Sequence, residues 1–215
     1  MAYYFPEGSR FSFSTTLATA KTVSAVTNAN PAVATSTSHG FVDGDELLFN
    51  SGWEDATDTI YKADQLSADT FSLLGLNTTN TNFYPAAAGV GTVQKISGWV
   101  EIPQVLTIAT SGGDARFTTI SPIARRNSIN VPTGFNATSI TLTLGHDPAN
   151  ANYQQMLDVS RTLSKVAFKM VLSGGAVTYG YGYMSVSEAP ALNQNQANQV
   201  TAAITLLGRS ISYAS

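Results

Sequence analysis

"KVAFKMVLSGGAVTYGYGYMSV", Lys165 to Val186, is two strand-like runs joined by a Ser-Gly-Gly turn, and it decides the class of the fold. Side chains alternate between the faces of extended backbone. Val166, Phe168, Met170 and Leu172 therefore share a face, and Ser173 to Gly175 close an antiparallel hairpin. On the return strand Tyr179, Tyr181 and Tyr183 point one way, and Gly180 and Gly182 the other. Glycine weakens a strand interior unless something approaches it closely. The neighbour at these glycines is another part of this chain or another copy of it.

The flanking sequence extends the pattern. "ATSITLTLG", Ala137 to Gly145, puts Ile140, Leu142 and Leu144 on one face. "QVTAAITLLGRSISY", Gln199 to Tyr213, reads as a long strand with Val200, Ala202, Ile204 and Leu206 inward. Only "GHDPANANYQQMLDVSRTLS" carries helical punctuation, with Asp147 as the expected N-cap and Pro148 at the first helical position. Tyr153, Met156, Leu157, Ser160 and Leu163 then recur at helical spacing. The expected fold is mainly β in an α+β layout, a β-sandwich or barrel-like body with one flanking α-helix over about 148–163.

Residues 21–97 have another texture, of short strands and Asn, Gly and Pro turns that include a tight "VDGDE" turn at Val42 to Glu46. They read as a small inserted β domain. Residues 1–20 are then an N-terminal arm or strand, and residues 98–215 form the main body with the helix.

Composition narrows the function. Of 215 residues 43% are hydrophobic, enough for a sizeable core, while 12% are charged, about half the usual share. A polar but weakly charged surface suits a protein whose faces pack against neighbours. The net charge of −3 argues against a basic nucleic-acid-binding face. The chain lacks cysteine, which excludes disulfides and thiolate metal sites. The start has no cationic region followed by an apolar run, and no run approaches a membrane span, so the chain reads as soluble and made inside the cell.

No catalytic constellation assembles. His39 precedes a glycine at a turn, and His146 beside Asp147 lacks the further ligands that a metal-dependent hydrolase needs. The acidic run Asp43, Asp45, Glu46, Glu54, Asp55 and Asp58 lacks calcium-loop spacing and reads as two solvated turns. "SGGDAR" and "SGGAV" lack the Lys and Ser or Thr of a phosphate loop, and no G-x-S-x-G elbow occurs. Arg125 and Arg126, the one basic pair, read as a surface or interface pair. The expectation is no enzyme, no cofactor and no metal.

Two segments carry a resemblance. "VSAVTNANPAVATSTSHGFVDGDELLFNSGW" and "ADTFSLLGLNTTNTNFYPAAAGVGTVQKI", followed by "SGWVEIPQV", resemble major tail (tail tube) proteins of long-tailed bacteriophages, while the second half agrees mainly in layout. The resemblance implies a virion protein assembled in the host cytoplasm. It implies self-association into hexameric rings that stack into a hollow tube conducting the genome. Implied partners are further copies, the tape measure, tail-tip and terminator proteins, and genomic DNA passing without sequence-specific binding; no membrane is implied. Candidate interface residues are then Tyr179, Gly180, Tyr181, Gly182 and Tyr183, whose glycine side is covered by an adjacent subunit or by helix 148–163. Tyr3, Tyr4, Phe5, Phe11 and Phe13 join them as a docking arm, or else as an edge strand of the chain's own sheet. The alternative is a carbohydrate- or receptor-binding β module of a phage fibre or cell-surface protein, with Trp53 and Trp99 as its exposed aromatic platforms.

Overall fold

The computed structural model describes residues 7–192, 194–195 and 197–214. The fold is mainly β with a single α-helix among these residues and one short 3-10 turn at Glu54–Ala56, as the alternating runs require. After β1 (Arg10–Ser14), eight strands build one sheet: β2 (Thr16–Leu17), β3 (Lys21–Val23), β4 (Ala25–Val26), β5 (Ala32–Thr35), β6 (Glu46–Ser51), β7 (Thr59–Gln65), β8 (Thr70–Leu74) and β9 (Gly91–Ser97). Their order is β2-β9-β6-β7-β8-β5-β4, with β3 also on β9.

The remaining elements are β10 (Val100–Glu101), β11 (Val105–Ser111), β12 (Ala115–Ile120), β13 (Ile129–Phe135), β14 (Ser139–Gly145), α1 (Ala151–Thr162), β15 (Lys165–Val171), β16 (Val177–Val186), β17 (Gln199–Leu206) and β18 (Ile211–Tyr213). They form a helix-backed sheet of order β10-β1-β15-β16-β17-β14-β11, with β18 also on β16. β12 and β13 pair only with each other.

Alternation along the strands sorts side chains into three cores. One face of the helix-backed sheet meets α1 through Leu142, Phe168, Met184 and Ile204, against Tyr153, Met156 and Leu157. Burying each such side chain contributes roughly 1.5–3 kcal/mol. The second sheet closes on Trp53, Tyr61, Phe49 and Phe71. A smaller core joins the sheets, with Leu48, Ile60 and Ile96 against Ala167, Tyr179 and Tyr181. The opposite face of β16 is therefore covered by the second sheet.

The helix begins later than 148. Asn150 is its N-cap, its Oδ1 accepting from the backbone N–H groups of Asn152 (2.9 Å) and Tyr153 (3.3 Å). Asp147 instead accepts from the Ala149 N–H (3.2 Å) and the Gln104 side chain (3.2 Å), holding the preceding turn. At the other end Leu163 adopts the left-handed conformation (φ 50°), which leaves it exposed rather than on the buried stripe.

The run Gln199 to Tyr213 is two strands, not one. β17 ends at Leu206 and the chain crosses to the second sheet, where the Arg209 N–H meets Thr59 Oγ1 (3.3 Å). β18 returns beside the start of β16.

Candidate assembly surfaces

The close approach at the Tyr/Gly strand comes from within the chain. β17 pairs with Gly182–Val186 and β18 with Val177–Tyr179, both on one edge of β16. A β-carbon on Gly182 would collide with the Thr205 carbonyl, and one on Gly180 would lie 2.7 Å from Leu206 Cδ2. The end of β17 therefore needs bare backbone there, and α1 packs further along the same face. Tyr179 and Tyr181 are buried against the second sheet, while Tyr183 is exposed. Phe11 and Phe13 lie in the chain's own core, on a strand paired with β15. Tyr3, Tyr4 and Phe5 lie outside the described residues.

The contact between the two sheets is polar at its rim. Glu46 on β6 accepts hydrogen bonds from Lys169 Nζ (3.0 Å), Tyr179 Oη (2.6 Å) and Trp99 Nε1. Lys169 also sits over the Trp99 ring, 4.3 Å from its centre. Burial and the Glu46 hydrogen bond push the Tyr179 hydroxyl pKa far up. Tyr213 Oη donates to the Leu74 carbonyl (2.7 Å) and accepts from the Lys62 N–H (3.0 Å). Burial pushes its pKa up to about 12 against the opposing backbone bond from Lys62. These groups fasten the two sheets to each other.

Both tryptophans are part of the scaffold. Trp53 is 2% exposed and donates from Nε1 to the Pro85 carbonyl (2.9 Å). Trp99 is half-buried and bound to Glu46. Neither offers the open aromatic platform expected of a glycan-binding module. His39 is likewise buried, accepting from the Phe41 N–H at Nδ1 (2.9 Å) and donating from Nε2 to the Ser67 carbonyl (3.0 Å). His146 pairs with the Tyr153 hydroxyl (3.2 Å). Among the described residues no group of three or more His, Asp or Glu side chains is placed to hold a metal ion, and no helix is long and apolar enough to cross a membrane.

What stands open is the β12–β13 hairpin. Gly112 and Gly113 (φ 83° and 77°) turn the chain out of the helix-backed sheet, in a conformation that favours glycine. A β-carbon on Gly112 would also collide with the Ala137 carbonyl. The hairpin then pairs from Ala115–Phe135 to Ile120–Ile129. Directly opposed residues share a face, so Phe117 and Pro132 are on one side, and Val131, Ile120 and Ile129 on the other. Nearly every residue of both strands is exposed, and Phe117 (58%), Phe135 (76%) and Ile123 at the turn (107%) stand furthest out. An isolated two-stranded ribbon is marginal in water, and apolar surface of this extent marks an interaction site.

Charge separates this hairpin from the rest. Ala115 to Phe135 carries Arg116, Arg125 and Arg126 with no acid, a formal +3, whereas residues 16–97 hold eight carboxylates against three lysines, a formal −5. Of these hairpin groups only the arginine pair stands out in the sequence as an interface feature. The alternation of "ARFTTI" and "INVPTGF" about "SPIARRNS" was the further signal, weakened by Pro132 and Gly134.

No curated protein matches the chain as a relative. The sequence profile of the family described as "Phage tail tube protein, TTP" matches residues 51–215, which takes in the hairpin, α1, the Tyr/Gly strand and strands β7, β8 and β9 of the second sheet. With more than half of its length matched, the chain belongs to the phage tail tube protein family.

Proposed function

We propose that this protein is a structural subunit that polymerises into stacked hexameric rings, forming the hollow tail tube through which the phage genome passes into the host. The observation that carries this reading is the β12–β13 hairpin, whose two apolar faces find no cover among the described residues. A subunit that must stay folded before assembly and bury more surface afterwards needs such an element. The acidic balance of the chain favours transit, because a wall dense in Lys and Arg would bind DNA phosphates strongly. The role is structural rather than catalytic. Its partners are further copies, with the tape measure, tail-tip and terminator proteins at the ends, and assembly takes place in the host cytoplasm.

Residues 21–97 are proposed as an inserted β domain, supported by a core of their own. Residues 1–20 and 98–215 are then proposed as the tube body, apart from Thr16 and Leu17, which pair with β9 of the second sheet. Among the candidates Tyr179, Gly180, Tyr181, Gly182 and Tyr183, exposed Tyr183 is the one available to a neighbour, and Tyr3, Tyr4 and Phe5 are proposed as a docking arm.

Electron microscopy of purified protein before and after concentration tests the reading. Hollow tubes with an axial ring repeat are expected. A protein that stays a monomer or closed dimer at millimolar concentration, and is not incorporated into tubes seeded by tail-tip assemblies, would overturn it.

A further inference from the structure

We infer that the turn of the β12–β13 hairpin of one subunit docks into a groove at the root of the same hairpin on the next, with Ile123 on its apolar floor and Arg125 and Arg126 against Glu54 and Asp55. The inference rests on the self-assembly reading and names the partner surface for it.

The turn is built to present these residues. The Arg125 N–H closes it on the Pro122 carbonyl (3.0 Å), which leaves Ile123 fully exposed beside the two guanidinium groups. The groove has a volume of about 610 Å³ and lies where the hairpin leaves the helix-backed sheet. Phe135, Leu206 and Leu207 supply its apolar lining, and Phe135 and Leu207 are largely exposed. Glu54 and Asp55, exposed on the short turn of helix Glu54–Ala56, form its acidic side, and Arg209 also lines it. Exposed apolar residues beside arginines thus face exposed apolar residues beside carboxylates. Arginine forks bind carboxylates with two parallel hydrogen bonds, which gives direction as well as attraction.

The occupant is another copy because the hairpin cannot reach its own root. Six residues of β12 separate turn from root, about 20 Å of extended chain. A contact between the tip of one subunit and the root of the next is heterologous, so it propagates into rings or filaments instead of closing as a dimer. Genomic DNA is the competing occupant for the arginines, but phosphate binding leaves Ile123, Phe117 and Ile120 uncovered.

The chain has no cysteine, so paired single cysteines report the contact directly. Ile123→Cys and Leu207→Cys subunits, mixed and mildly oxidised, should give a disulfide-linked dimer that neither forms alone in comparable yield. A charge series checks it independently. Arg125→Glu with Arg126→Glu, and separately Glu54→Arg with Asp55→Arg, should each raise the concentration needed for assembly about tenfold or more. The combined fourfold exchange should restore it. Absence of the mixed disulfide, assembly by the Glu54/Asp55 variant at the wild-type concentration, or failure of the exchange to rescue would each overturn the inference, and wild-type assembly that depends on added DNA, with that dependence lost in the arginine variant and kept in the Glu54/Asp55 variant, would assign the turn to phosphate instead. Wild-type tubes without the disulfide would sink this contact and leave the tube function standing. A disulfide without tubes would do the reverse.

Discussion

The β12–β13 hairpin and the second sheet are both antiparallel β-structure, and they sit at opposite ends of one scale. The second sheet encloses Trp53, Tyr61, Phe49 and Phe71, and it settles even its polar residues, such as His39, with hydrogen bonds. The hairpin has comparable apolar content and encloses nothing. The difference lies in strand number and cover: a sheet of many strands hides one face on itself, whereas two strands cannot. It also lies in charge, since the acidic residues gather on the closed region and the arginines on the open one. Within a single chain, then, one region is closed by folding, while the other stays open among the described residues.

Substitutions can break that contrast. Trp53→Ala empties the closed core and should cost about 3–5 kcal/mol in denaturant unfolding, against a change within about 0.5 kcal/mol for Phe117→Ala on the hairpin. A comparable loss for Phe117→Ala would show that the hairpin is packed within the subunit after all. Gly182→Ala forces a methyl group into the Thr205 carbonyl, and the β16–β17 pairing should lose about 1–3 kcal/mol, read as a lower unfolding midpoint.

The seam between the two sheets gives a pH signature. The Tyr213 hydroxyl ordinarily titrates near 10 and is raised to about 12 in the fold, so the native state holds its proton longer than the unfolded chain. Its contribution is complete below pH 10 and is lost as the pH climbs toward 12. Stability should therefore fall across that window, and less steeply in Tyr213→Phe, which also loses the hydrogen bonds to Leu74 and Lys62 and so starts about 1 kcal/mol lower. An unchanged alkaline slope would remove Tyr213 from the seam. The smallest effect belongs to the hairpin: Phe117→Ser with Ile129→Ser should leave the unfolding midpoint within error while abolishing tubes.

Much of the helix-backed sheet was legible, because Leu142, Phe168, Ile204 and Met184 each fall on the buried phase of a period-two pattern. The helix was legible on its Tyr153, Met156 and Leu157 stripe, but not at its start. Asp147-Pro148 is a strong signal, and Asn150, which also caps well, won through local turn geometry. The break between β17 and β18 falls at Gly208-Arg209-Ser210, a turn-type interruption that the long-strand reading passed over, and there the Arg209 N–H meets Thr59 of the second sheet. The hairpin was hidden for a different reason. With both faces exposed it has no inward phase for a pattern to reveal.

Hydrogen–deuterium exchange, compared between dispersed subunits and the concentrated assembly, tests most directly that the hairpin is completed by another copy. The expected result is fast exchange across Ala115–Phe135 in the subunit, strong protection after assembly, and little change in the second-sheet amides around Phe49, Tyr61 and Phe71. Hairpin amides already as protected as those of the second sheet in the subunit, or still unprotected in assembled tubes, would contradict it.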